Sequence, residues 1–258
     1  MTLGRPRRIL VTGATSGIGE AFARTAPGDC DLVLTGRNAA KLDQLAGDLA
    51  TERRKVEVVA ADLGASKAVD AIVDTALAGP LDGLVNNAGL GPYGPFREAA
   101  TDELTAAVDV NCRAPVALTH ALLPTLLAGS SRGERRAFVV NVASTAAYAP
   151  VPRMAVYAAT KAFVLSFTEA LATELRHEPL DVLALCPGPV RTRALPFRFV
   201  PGARDPEDVA RIAYDALGRT TVAYTDMGSR ATLMPLSRAR AAVSRALGAG
   251  LALTQRGH

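Results

Sequence analysis

Hydrophobic and polar positions fall into two alternating regimes along the whole chain. Short apolar, largely β-branched runs are each followed by a longer stretch with helical spacing. The runs at residues 9–11, 31–35, 56–60, 83–85, 138–142, 181–185 and 221–224 predict strands. The stretches at 19–26, 39–52, 67–78, 102–127, 155–176 and 207–217 predict helices. This alternation produces βαβ units, and so an α/β fold with a doubly wound parallel sheet covered by helices on both faces. The strands are apolar almost throughout, as expected where both faces of a sheet are buried. No repeat and no Pro-, Gly- or Ser-rich linker divides residues 1–258, which reads as a single domain.

Two stretches break the rhythm. Residues 187–205 contain four prolines and no clear period, and read as a long loop of the kind that forms lids or binding loops. In the tail, residues 228–258, a helix is expected over 236–253 carrying Arg238, Arg240 and Arg245, with no role assigned.

Composition narrows the functional classes. With 49% hydrophobic and 21% charged residues the chain is an ordinary globular sequence, not a disordered one. Cys30, Cys112 and Cys186 are odd in number and widely spaced, which argues against a disulfide framework or a zinc ribbon. His120 and His177 have no partners at metal-ligand spacing, so no metal is expected. A net charge of +4 does not call for nucleic acid; Arg132, Arg135 and Arg136 read as a solvated basic group, and the tail arginines, which could meet anionic phospholipid or nucleic acid, lack interleaved aromatics. The basic amino terminus has no apolar h-region behind it, and no apolar run approaches the roughly 18 residues of a membrane span. The cytoplasm is the expected compartment.

The first strand runs into Thr12-Gly13-Ala-Thr15-Ser16-Gly17-Ile18-Gly19 and then into the first helix. Glycines there let the backbone turn sharply and approach a pyrophosphate, which then sits on free amides at the helix N-terminus. The second strand ends at Thr35-Gly36-Arg37-Asn38. A carboxylate at that place would bond the adenine ribose of NAD and repel a 2′-phosphate; Arg37 offers a charged fork instead. NADP(H) is therefore favoured over NAD(H).

Tyr157-Ala-Ala-Thr-Lys161 lies in the fifth helical stretch, where positions i and i+4 share a face. A cation beside a phenol favours phenolate and brings the group closer to the working range of acid–base catalysis. Only four lysines occur in the chain, so one at 161 in an apolar stretch is informative.

Together these residues resemble the short-chain dehydrogenase/reductase family. The resemblance runs from about Arg8 to about Thr192 and includes Thr12–Gly19, Asp62-Leu63, Asn86-Asn87-Ala88-Gly89, Asn111, Ser144, Tyr157, Lys161 and Pro187-Gly188-Pro189-Val190. It implies a Rossmann-like domain of about seven strands in the order 3-2-1-4-5-6-7. It also implies Tyr157 as general acid in carbonyl reduction or base in alcohol oxidation, and Ser144 as hydrogen-bond partner of the substrate oxygen. Lys161 would lower the phenol pKa and hold the nicotinamide ribose, and Asn111 would hold a water. The implied cofactor contacts are Gly13, Thr15, Ser16, Gly17, Ile18, Gly19, Arg37, Asp62, Leu63, Asn87, Ala88, Gly89, Tyr157, Lys161, Pro187, Gly188, Val190 and Thr192. Homodimers or homotetramers through the helices at 102–127 and 155–176 are implied as well. Pro189 departs from the usual pattern, and Ser16 stands where some NADP-preferring members carry a basic residue.

The substrate wall is expected from Leu90, Pro92, Tyr93, Ala146, Tyr148, Met154, Leu195, Phe197 and Phe199, nearly all apolar, as small-molecule pockets usually are. Arg191, Arg193 and Arg198 are candidates for an anionic group on the substrate. The leading expectation is a hydride-transferring oxidoreductase acting on an apolar ketone or aldehyde, or on the matching alcohol. The alternatives are a catalytically silent NADP-binding regulator and a dehydratase or epimerase. A silent scaffold has no chemical need for the full Asn–Ser–Tyr–Lys set.

Overall fold

The computed structural model describes residues 6–130, 136–192 and 202–255. Seven parallel strands form one sheet in the order β3-β2-β1-β4-β5-β6-β7. They are β1 (Arg8–Thr12), β2 (Asp31–Gly36), β3 (Val56–Ala60), β4 (Gly83–Asn86), β5 (Ala137–Val142), β6 (Leu180–Cys186) and β7 (Val222–Tyr224). The helices are α1 (Gly17–Thr25), α2 (Ala39–Leu49), α3 (Ser66–Leu77), α4 (Thr101–Val108), α5 (Ala114–Ser130), α6 (Ala155–Glu174), α7 (Pro206–Ala216) and α8 (Met227–Gln255).

Successive strand residues point to opposite faces and serve two separate cores. Ile9, Val11, Leu32, Leu34, Phe138 and Val140 pack with Phe22 of α1, Leu42 of α2 and Val209 of α7. Leu10, Val33, Leu84 and Val139 pack on the other face with Ile72 of α3 and Leu118 and Leu122 of α5. A third cluster joins Val164 and Leu165 of α6 to Tyr224 of β7 and Leu233 of α8.

Two expected elements differ. The single helix expected over 102–127 is α4 and α5 joined by a π-helical turn at Asp109–Arg113. Apolar residues flank that turn on both sides, so hydrophobic spacing alone does not reveal the extra residue. The tail helix begins at Met227, nine residues before the expected 236, and runs through Pro235. Proline removes one helical hydrogen bond, but here it does not end the helix, which is held on both sides of it. Tyr224 Oη donates to the Leu233 carbonyl at 3.2 Å and is 2.6 Å from Ser237 Oγ.

In a parallel sheet every strand ends on the same edge. The turns after β1, β4, β5 and β6 therefore converge, and this brings polar segments far apart in sequence around one cleft.

Candidate active site

The glycine turn is stitched to the loop after β4. Thr12 Oγ1 accepts from the backbone amides of Asn87 and Ala88, both at 3.0 Å. Asn87 Nδ2 returns the contact, donating to the Thr12 carbonyl at 2.9 Å. Gly13 has φ +67°, and a Cβ there would lie 2.8 Å from the Ala88 Cα. At Gly19 a Cβ would lie 2.2 Å from the Gly13 carbonyl oxygen, so no side chain fits without moving the turn. Ser16 occupies the N-cap of α1, but its side chain makes no capping bond. The first-turn amides of α1 and the Ser16 hydroxyl are thus left to face the cleft, where a phosphate is the natural complement.

An open cleft of about 280 Å³ runs along this edge. Its lining includes Gly13, Thr15, Ser16, Gly17, Ile18, Arg37, Asp62, Leu63, Asn87, Ala88 and Gly89. Ser144, Tyr157, Lys161, Pro187, Gly188, Val190 and Thr192 complete it, with Thr192 against Gly17 and Gly89 beside Lys161. Gly19 lies beneath the turn, as its contacts require. Arg37 is exposed and forms no ion pair among the described residues.

Tyr157 and Ser144 both line the cleft. Burial raises the Tyr157 pKa and the nearby Ser144 side chain partly opposes it. Lys161 is buried, and its ammonium donates to the Val142 carbonyl at 2.7 Å and lies 5.8 Å from the Tyr157 ring centroid. Desolvation lowers the Lys161 pKa from 10.5 to about 8. Burial thus favours a protonated, neutral Tyr157.

Asn111 sits in the π-helical turn, buried, with its carboxamide turned inward. Its Oδ1 accepts from the Leu90 amide and its Nδ2 donates to the Leu90 carbonyl, both at 2.8 Å. The same Nδ2 donates to Thr160 Oγ1 at 2.9 Å, and Thr160 in turn donates to the Tyr157 carbonyl at 2.8 Å. In this structure Asn111 is a clamp joining the loop after β4 to the helix that carries Tyr157 and Lys161.

The comparisons with known proteins agree with this arrangement. The family model described as short chain dehydrogenase matches residues 7–198. The chain belongs to the short-chain dehydrogenase family. It is an oxidoreductase of that family. It is similar to sulfoacetaldehyde reductase 2 of Chromohalobacter salexigens, 36% identical over 221 residues, which cover 83% of this chain and 81% of that protein. A short-chain dehydrogenase from Sphingobium yanoikuyae in complex with NADPH superposes with TM-score 0.81 at 29% identity, covering 92% of this chain and 94% of that one. A 3-ketoacyl-(acyl-carrier-protein) reductase from Brucella melitensis, complexed with NADH, gives 0.76 at 34% identity, covering 86% and 96%. Both nicotinamide cofactors thus occur among the neighbours of this short-chain dehydrogenase.

Several expected residues lie elsewhere. Leu90 lines the cleft, but Pro92 and Tyr93 line a neighbouring hollow with Phe96 and Arg153. Tyr148 turns its hydroxyl to Tyr224, 2.5 Å away, and to Ser237, and so anchors α8. Ala146 and Met154 are also absent from the cleft lining, so the described residues do not assemble the expected substrate wall. Arg191 donates to Asp205 at 2.8 Å at the base of the 187–205 loop, not to the cleft. Leu195, Phe197, Phe199, Arg193 and Arg198 lie outside the described residues, as do Arg132 and Arg135. No group of His, Cys, Asp or Glu suited to a metal occurs among the described residues.

Two residues escaped the sequence reading. Thr160 is one, although a polar residue between Ala159 and Lys161 in an apolar helix was a usable signal. Arg113 is the other: it donates to the carbonyls of Leu63 at 3.1 Å and Gly64 at 2.8 Å, fixing one wall of the cleft. Nothing in the local sequence distinguishes it from a surface arginine.

Proposed function

We propose that this short-chain dehydrogenase interconverts a carbonyl and an alcohol using NADP(H), and that its substrate is an apolar ketone or aldehyde. The observation that carries the reading is that Ser144, Tyr157 and Lys161 line one glycine-walled cleft together, with the buried Lys161 ammonium 5.8 Å from the Tyr157 ring centroid. The cleft fits a dinucleotide: Gly13 and Gly19 let the turn pack tightly on itself and on the loop after β4, and the α1 N-terminus offers free amides. Gly13–Gly19 would hold the pyrophosphate, Asp62 and Leu63 would border the adenine, and Lys161 would hold the nicotinamide ribose. Arg37, exposed and free of carboxylate partners, supports a 2′-phosphate. When bound, the reduced cofactor supplies a hydride to the carbonyl carbon.

The protein contributes the proton and the placement. The Ser144 hydroxyl orients the substrate oxygen and stabilises the charge developing on it. Tyr157, kept protonated by burial, donates its hydroxyl proton to that oxygen as the alcohol forms. Leu90, Ala143 and Val190 give the surroundings an apolar character that suits an uncharged substrate. Self-association is part of the reading: Phe163 on α6 is 43% exposed and stacks on Phe167, leaving an aromatic surface on a helix expected at a subunit contact.

The deciding experiment pairs Tyr157→Phe with NADPH and a panel of apolar carbonyls. Turnover should fall by roughly 10²–10⁴, while NADPH affinity, read by fluorescence titration, stays within about threefold. Wild-type turnover in the variant overturns the assignment. Turnover restricted to polar sugars overturns the substrate class alone.

A further inference from the structure

The C-terminal helix carries a surface that hydride transfer does not use. α8 contains no Asp or Glu over residues 227–255 but carries Arg230, Arg238, Arg240 and Arg245. One side packs on α6 and β7 through Leu233, Met234 and Ser237. On the outward side Leu236, Val243 and Leu247 are 51%, 58% and 64% exposed. Their spacing of seven and four residues places all three on one stripe of the helix. Pro235, Ala239, Ala242 and Ala246 fill the exposed arc between that stripe and the flank bearing Arg238 and Arg245. That flank borders a groove that Arg176, Arg219 and Arg230 also line. None of these five arginines has an ion-pair partner among the described residues. Of the two carboxylates in the groove, Glu169 is already bonded to Arg240 at 2.7 Å and Asp215 is the other, against five arginines.

We propose that α8 lies flat on an anionic lipid bilayer, its Leu236–Val243–Leu247 stripe in the headgroup boundary and its arginines against lipid phosphates and carboxylates. An acid-free helix with an exposed apolar stripe and a basic edge has the form of an interfacial helix. It does not span the bilayer: no helix among the described residues is long and apolar enough. Charge decides between occupants. A second copy would bring the same acid-free helix and set arginine against arginine, whereas an anionic bilayer complements the arginines that outnumber the carboxylates on this face. Such docking would hold the reductase where apolar substrates partition.

The full-length protein is to be sedimented with vesicles of phosphatidylcholine alone and of phosphatidylcholine with phosphatidylserine at two to one. Co-sedimentation with the anionic vesicles alone, released by high salt, is the expected result. Leu236→Glu with Val243→Glu should abolish it. Arg238→Gln with Arg245→Gln should weaken it about 30-fold, from the usual contribution of a basic side chain near a charged membrane. All four positions are exposed and outside the cleft, so nucleotide affinity and melting temperature should stay near wild type and certify folding. Absence of binding at low salt, or full binding by the Glu pair, overturns the proposal. So does a dimer, seen by sedimentation velocity, that the Glu pair dissolves while no vesicle is bound; that face would then belong to a second copy.

Discussion

Lys161 shows how one side chain is made costly for the fold and useful for the chemistry. Its ammonium is buried with a single carbonyl partner, and desolvation lowers its pKa from 10.5 to about 8. For a base whose folded pKa lies below its unfolded one, the sign is clear. The cost to the folded state is fully present below pH 8 and is relieved as pH rises from 8 towards 10.5. Lys161→Met should therefore abolish turnover without lowering the melting temperature at pH 7, since the lost Val142 bond is offset by removal of a buried charge. Scanning calorimetry decides it, and a large drop at pH 7 would mean that the ammonium stabilises the fold. Arg37 is the opposite case, an exposed cation with no local partner. On the proposed NADP(H) reading, Arg37→Asp would remove a charge-assisted contact to the 2′-phosphate and add a repulsive carboxylate, a change of about 2–4 kcal/mol. NADPH affinity should fall by roughly 10²–10³ while NADH affinity holds or improves. Equal loss for both cofactors would show that Arg37 does not read the phosphate.

Among the elements, the π-helical turn between α4 and α5 does the most for the site. Asn111 faces inward to Leu90 and Thr160, and Arg113 faces the other way to the carbonyls of Leu63 and Gly64. One irregular turn thus fixes two walls of the cleft. Thr160→Val would leave one Asn111 amide proton without its acceptor, at a cost of about 1–3 kcal/mol. A melting temperature lower by several degrees and a kcat about tenfold lower at little-changed nucleotide affinity are expected, with Thr160→Ser restoring most of both. A Ser variant as impaired as Val would point to lost methyl packing rather than the hydroxyl. The strands and the loops after β1, β4, β5 and β6 were legible in the sequence. Their apolar runs are short and sharply bounded, and parallel topology sends whatever follows each run to the same edge. The turn at Asp109–Arg113 was not legible, because α and π spacing bury the same Val110 and Ala114. Tyr148 was misplaced for a related reason: an aromatic after a motif strand reads as pocket wall, and only the position of α8 shows that its hydroxyl belongs to Tyr224 and Ser237.

At the scale of the molecule, the catalytic helix α6 is clasped by the far end of the chain. Glu169 has a side chain only 6% exposed and bonds Arg240 of α8 at 2.7 Å, while its Oε1 finds no hydrogen-bond partner. Burial raises the Glu169 pKa and Arg240 pulls it back. Removing Arg240 leaves a buried carboxylate without its cation, which costs more than the pair contributes. Because Arg240 is partly solvated, screening reduces that cost to about 1–2 kcal/mol for Arg240→Ala at pH 7. The pH dependence follows from a carboxyl whose folded pKa lies above its unfolded one and, in the variant, moves higher still. Between those two values the folded chain binds more protons than the unfolded chain, so stability rises as pH falls. The deficit of Arg240→Ala should shrink from pH 7 towards pH 5, and Glu169→Gln added to it should remove most of the deficit at pH 7. Denaturant titrations at both pH values provide the measurement. A deficit that is independent of pH and survives the second substitution would place the contribution of Arg240 in its aliphatic packing, and the clasp would not be electrostatic.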